Sequence, residues 1–314
     1  MASMLSSFRM NTQIMQNKEG YGLTIQTLQS LLDGILMGGV YALAALGLSL
    51  IFGVLKITNF AHGAMMTVGM YVVFALGSSL NLNPYLALPF AMVLMFLIGF
   101  LIQRFPIHYI EHAPAHNQLL LTLGVAYILE NVLLVIFSPN YQTLSVKGFE
   151  KALHIGSLTF APAKLISFGV VIVVTSCVYF LLYRTHIGSS IRASAQNEIG
   201  ARLMGINVRN IRAVAFGIGA VCTGIAGGLL TPIMSIYPTL GESFQLKCFV
   251  IAVLGGMGNL WGALVAGLLI GVVESLSGYF FGGSWSEMVI YGIFILILFI
   301  RPTGLFGRGN RRES

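Results

Sequence analysis

His108, His112 and His116 stand four residues apart with Glu111 among them, a spacing at which one helical face can present two imidazoles to a metal ion. Pro106 and Pro114 interrupt this segment. Proline lacks the backbone donor and clashes with the turn before it, so the segment reads as a cytoplasmic turn and no metal is assigned. Cys177, Cys222 and Cys248 lie in apolar segments without paired spacing and read as buried, reduced thiols. No G-x-x-x-x-G-K-[ST] loop is present, and no lysine follows a glycine, so the chain has no such cradle for a nucleotide triphosphate. GMGNLWG at Gly256–Gly262 lacks the strand context and spacing of a dinucleotide turn and reads as a tight turn between membrane segments. H-E-x-x-H and G-x-S-x-G are absent. The sequence carries no signal for an enzyme or for a cofactor.

The polar residues that stand out are embedded in apolar runs. Asp33, Glu130 and Glu274 lie inside such runs, where a mid-bilayer charge costs on the order of 3 kcal/mol. Each must face a protein interior, an aqueous path or a boundary. Each is therefore either a buried polar contact holding helices in register or part of a transport path. KITNFAHG, Lys56–Gly63, interrupts two apolar helices with Asn59 and His62. It reads as a tight cytoplasmic turn or a broken helix facing a cavity, since irregular backbone at membrane depth must be buried in protein or line water. Asn59, His62, Glu130 and Glu274 are the substrate-path candidates. Asn59 and His62 are expected near the cytoplasmic end, and the two glutamates are expected to be the more structural.

The elements that must position these residues are membrane helices. The chain has 314 residues, 56% of them hydrophobic and 9% charged, against roughly 25% charged in a soluble domain. Apolar runs near 24–53, 60–79, 84–104, 119–137, 165–183, 213–231, 260–280 and 286–300 each approach the roughly 20 residues that cross a bilayer, and 241–256 is a shorter run that crosses or re-enters. The fold class is all-α: a polytopic membrane helix bundle of about eight or nine crossings. Gly34/Gly38, Gly224/Gly228, Gly258/Gly262 and Gly267/Gly271 repeat at i, i+4, a small-residue stripe that lets helix backbones approach. The reading divides the chain into an N-terminal arm (1–22), a membrane domain (23–305) and a cytoplasmic tail (306–314).

Between two of the spans lies a polar island, 184–212, with Arg184, Arg192, Arg202, Arg209, Arg212 and one acid, Glu198. Its centre, AQNEIGARLMGINV, predicts a short amphipathic helix ending at Gly205. Lys56, Arg104, these five arginines and Arg301, Arg308, Arg311 and Arg312 fall on one side, eleven of the seventeen basic residues. By the positive-inside rule that side is cytoplasmic. The net charge of +7 thus reflects membrane orientation, and no nucleic acid is expected as a partner.

GILMGGVYALAALGLSLIFGVLKITNFAHGAMMTVGMYV (34–72), LLTLGVAYILEN (120–131), ARLMGINVRNIRAVAFGIGAVCTGIAGGL (201–229), AVLGGMGNLWGALVAGLLIGVVES (252–275) and RPTGLFGR (301–308) together resemble the Liv-type permeases, membrane subunits of ABC importers for branched-chain amino acids. The likeness covers nearly the whole chain after the arm. It implies a multi-pass protein of the bacterial plasma (inner) membrane. It also implies a second homologous permease, two ATP-binding subunits and a soluble substrate-binding protein. The island would carry the counterpart of the coupling helix, with Gln196, Glu198, Arg202, Gly205, Asn207 and Arg209 as the ATPase-coupling residues. The E-A-A-x-x-x-G pattern of other importer permeases survives only as Glu198, Ala201 and Gly205, with changed spacing. Urea or short-chain amide permeases look similar, and a secondary transporter or channel would also show broken helices and glycine stripes.

Overall fold

Backbone in hydrocarbon must satisfy its own hydrogen bonds, and the apolar runs do so as helices. A computed structural model describes the backbone of residues 2–111, 113–144 and 152–306, with side chains from Thr24 onward. Eight of its helices are long and apolar enough to cross a membrane. They are α1 (Ala2–Leu55, crossing from Thr24), α2 (His62–Leu80), α3 (Pro84–Ile102), α5 (Ala115–Phe137), α6 (Pro162–Arg184), α9 (Val208–Leu230), α11 (Leu260–Phe281) and α12 (Gly283–Ile300). Residues 2–22 of the predicted arm continue α1 as helix. α3 does not stop at Pro106. It runs through a π-helical turn, Gln103–Ile107, into α4 (His108–Ile110), a widened turn that accommodates the missing proline donor.

α1 and α9 form the centre. In the most apolar 18-residue stretch of each helix, 83% of the residues are buried in α1 and 89% in α9, whereas 11% are buried in α12. The glycine stripes lie at the contacts. A Cβ on Gly34 would fall 2.7 Å from the Val272 Cα, and one on Gly38 would fall 2.9 Å from the Gly267 carbonyl. α1 and α11 therefore touch backbone to backbone, as small-residue packing predicts. The core around them joins Val40, Leu43, Ile51, Met66, Phe216 and Ile225.

α10 (Gly241–Leu254) is a half-span. Fourteen residues rise only about 21 Å, short of the roughly 30 Å hydrocarbon. Its first residue packs against Gly63, where a Cβ on either glycine would overlap the other's backbone. Its C-terminal turn lies beside the end of α1: Gly258 N–H donates to Ser49 Oγ at 3.1 Å, and Leu305 N–H donates to the Leu254 carbonyl at 2.7 Å. The tight turn predicted at GMGNLWG is present, with positive φ at Gly256 and Gly258. On the opposite face of the bundle, Gln142 and Ile236 bridge two loops, and β1 (Leu153–Ile155) pairs antiparallel with β2 (Leu158–Phe160).

Cys222 and Cys248 are buried as predicted, but Cys177 is exposed. It lies on the outward, exposed side of α6.

Candidate functional site

The arginine-rich island folds as two short helices, not one. α7 (His186–Gln196) and α8 (Glu198–Leu203) are separated at Asn197, which is extended (φ −149°, ψ 103°). The Asn197 side-chain oxygen accepts from Gly200 N–H at 2.9 Å. An Asx cap of this kind starts a new helix and ends the old one. Asn207 repeats the device: its oxygen accepts from Asn210 N–H at 3.1 Å, so α9 begins at Val208, five residues before the apolar run at Ala213. Gly205 closes α8 with φ +78°. Gly205 N–H donates to the Arg202 carbonyl and Ile206 N–H to the Ala201 carbonyl, the paired bonds of a Schellman motif, which requires a left-handed residue.

One buried arginine joins this loop to the membrane bundle. Arg212 donates from Nη2 to Glu198 Oε2 and from Nη1 to Glu111 Oε2, both at 2.7 Å. Gln103, in the π turn, donates to the other Glu111 oxygen, and Arg104 Nη1 donates to Asn210 Oδ1 at 2.7 Å. Glu198 also takes Arg202. Burial pushes the Glu198 carboxyl up, but the Arg212 and Arg202 guanidiniums more than offset this and hold it below the usual carboxylate range. Glu111, which stands among the spaced histidines, is thus the acceptor for Arg212 and Gln103. His108 lies 3.6 Å from it and His112 lies outside the described residues.

Of the coupling residues read from sequence, Glu198 and Arg202 belong to this network. Gly205 and Asn207 are caps, and Gln196 and Arg209 are exposed. The sequence reading missed Glu111, Gln103 and the anchoring role of Arg212. It also missed an apolar edge on the loop: Ile199, Leu203 and Met204 are 72%, 83% and 82% exposed. The signal for that edge was their i, i+4, i+5 spacing within an otherwise polar stretch.

The second cluster lies at the bend between α1 and α2. Lys56 ends α1 with φ +60°, an unusual left-handed state for a side chain of this size, and the chain then runs back alongside α1. His62 Nε2–H donates to the Ala44 carbonyl at 2.9 Å, a level about 16 Å before the end of α1 at the helical rise. Of the two readings, tight turn or broken helix, the segment takes the second: it folds back along α1, with Asn59 and His62 both fully buried inside the bundle. The reason is the hydrogen bonding available there. Asn59 Oδ1 accepts from Ala61 N–H at 3.0 Å, and Gln245 of α10 accepts from Gly63 N–H at 2.7 Å and donates to the Asn59 carbonyl at 3.2 Å. One glutamine thus satisfies both a free donor and a free acceptor of the backbone at the start of α2.

Glu130 is 5% exposed and lies within charge-interaction range of Glu242 at the start of α10. One turn before it on α5, Ala126 packs on Ala61 and Ala64. Three of the four path candidates thus lie around this buried bend. Glu274 does not. It pairs with Lys247 at 2.7 Å, tying α11 to α10. Asp33 pairs with Lys164 at 3.1 Å.

The family described as "Branched-chain amino acid transport system / permease component" matches residues 30–298. The chain is 31% identical over 305 residues to the high-affinity branched-chain amino acid transport system permease protein BraD of Pseudomonas aeruginosa, covering 90% of this chain and 96% of that one. It is 30% identical to LivH of Escherichia coli K12, with the same coverage. To LivM of the same organism it is 25% identical, covering 85% of this chain and 67% of that one.

Proposed function

The chain belongs to the branched-chain amino acid transport system permease family, and on that premise we propose that it is the membrane-spanning subunit of an ABC importer. It carries branched-chain amino acids inward, pairs with a second homologous permease, and takes its energy from two ATP-binding subunits. A soluble binding protein delivers the substrate. The chain itself hydrolyses no ATP.

The observation that carries this reading is the α7–α8 loop. Its apolar edge of Ile199, Leu203 and Met204 stands exposed at the arginine-rich end, while Arg212 locks the base of the loop to Glu111 next to α4. An exposed apolar edge on a rigidly held surface element suits a protein partner, and the lock suits transmission of its movement to α3 and α9. In the same reading the path passes the buried bend. Helices that start inside a membrane bundle after a break in the chain, as α2 and α10 do, supply substrate sites in transporters. Asn59 and His62 hold the bend and Glu130 lines it, while Glu274 is structural.

The test is uptake by proteoliposomes containing this chain with a homologous second permease, ATPase and binding protein. Labelled leucine, isoleucine and valine are expected to enter and to compete with one another. Uptake of urea or acetamide in preference to leucine would overturn the substrate assignment. Uptake driven by an ion gradient without ATPase subunits would overturn the importer class.

A further inference from the structure

On the outward face of the bundle a groove of ≈ 160 Å³ opens between α6 and α11 over α1, lined by Leu46, Thr175, Tyr179, Leu182, Trp261 and Leu264. A space of that size admits an apolar group as large as benzene. Its lower rim is aromatic and continues into a cation. Trp261 meets Tyr179 edge-on at 5.3 Å, Tyr179 meets Tyr183 at 4.4 Å, and the Arg192 guanidinium lies over Tyr183 at 5.2 Å.

Arg192 stands on α7, at the arginine-rich end of the molecule. It makes no ion pair among the described residues, and its Nη1 is buried without a hydrogen-bond partner. Arg184 closes α6 at the same end. The half-exposed Tyr179, Tyr183 and Trp261 have the placement of interfacial anchors. Above them the lining is apolar except for Ser176, whose hydroxyl donates to the Ile172 carbonyl, and Thr175, whose buried hydroxyl lacks a partner.

We propose that this groove binds one anionic phospholipid of the inner leaflet, its phosphate on Arg192 and one acyl chain between α6 and α11. The charge complementarity commits the site to an anionic lipid. Basic pockets between helices on the cytoplasmic side recognise such headgroups, and a guanidinium matches phosphate geometry. The chain below the headgroup needs only an apolar slot, which the groove supplies.

The experiment is native mass spectrometry of the purified full chain, offered equal concentrations of dioleoyl phosphatidylglycerol and dioleoyl phosphatidylcholine. One phosphatidylglycerol is expected to be retained with a preference on the order of fivefold, as one basic residue near a membrane surface provides. Arg192→Gln is expected to abolish the preference and Arg192→Lys to keep most of it. Ser176→Phe, at an exposed groove position where folding is not at stake, is expected to lower retention of both lipids. Equal retention of the two lipids by the unaltered chain, or an unchanged preference in Arg192→Gln, would overturn the proposal. Protection of the adjacent exposed Cys177 from a lipid-soluble maleimide on assembly with a partner permease would overturn it too, by showing that protein covers the groove. None of these readouts depends on transport, so the site can fail while the importer reading stands.

Discussion

Glu111 and Arg212, 101 positions apart in sequence, meet in a 2.7 Å bond from guanidinium to carboxylate, with side chains only 6% and 10% exposed. Removing Arg212 leaves the buried Glu111 carboxylate without its cation, at a cost of about 3–5 kcal/mol, while removing Glu111 leaves Arg212 paired with Glu198 alone. Arg212→Ala is therefore expected to release the α7–α8 loop, and Glu111→Ala to detach the loop and α9 from the segment after α4. In the assembled transporter, ATP hydrolysis should continue while uptake falls at least tenfold, and uptake per ATP reads this directly. The double variant should lose little more than either single one, because both break the same link. Unchanged uptake per ATP in both single variants would show that the lock does not transmit movement.

The lowered Glu198 carboxyl sets a pH dependence with a definite sign. A carboxylate whose folded value lies below its unfolded one stabilises the fold above the unfolded value, and the contribution is lost as pH falls through the folded one. Protection of the α8 amides from hydrogen exchange is thus expected to be full at neutral pH and to decline below the ordinary carboxylate range, about pH 4. Glu198→Gln should show reduced protection at neutral pH and a flat profile below it. A parallel decline in that variant would assign the dependence to another group.

Gly205 occupies a left-handed conformation with nothing within 4 Å of an added Cβ. The cost of Gly205→Val is then backbone strain alone, about 1–2 kcal/mol, confined to the end of α8. Thermal stability of the membrane part should be unchanged while coupling of hydrolysis to uptake drops. A variant with normal coupling would remove this turn from the docking surface.

His62 and Asn59 hold the buried bend through the Ala44 carbonyl and Gln245. Asn59→Ala and His62→Ala are expected to slow uptake several-fold with little change in affinity for the loaded binding protein. Cysteines at 59 and 62, in a background lacking the three native ones, should be closed to water-soluble thiol reagents in the conformation described and open in another nucleotide state. Protection in every state with normal uptake by both alanine variants would exclude the bend from the path.

What was legible in the sequence follows from which signals are local. Hydrocarbon imposes a length and a composition on each span, so the eight crossings can be read from the chain alone. Gly205 could be placed as a helix terminus because a Schellman turn has a residue requirement. The break at Asn197 was not legible, since an asparagine within a polar stretch serves equally on a helical face. The depth of Asn59 and His62 was not legible either. It depends on Gln245, 186 positions away from Asn59, supplying donors and acceptors that the local segment lacks. The same holds for Glu111, whose neighbours in sequence are histidines but whose partner in space is Arg212.

The most direct measurement is leucine uptake by proteoliposomes in which this chain is combined with, or separated from, its proposed partners. The chain alone is expected to give neither ATP hydrolysis nor uptake. The full set of two permeases, ATPase subunits and binding protein is expected to give uptake that requires ATP and is uncoupled by Arg212→Ala. Vanadate-sensitive hydrolysis by the chain alone, or leucine uptake undiminished without the ATPase subunits, would contradict it.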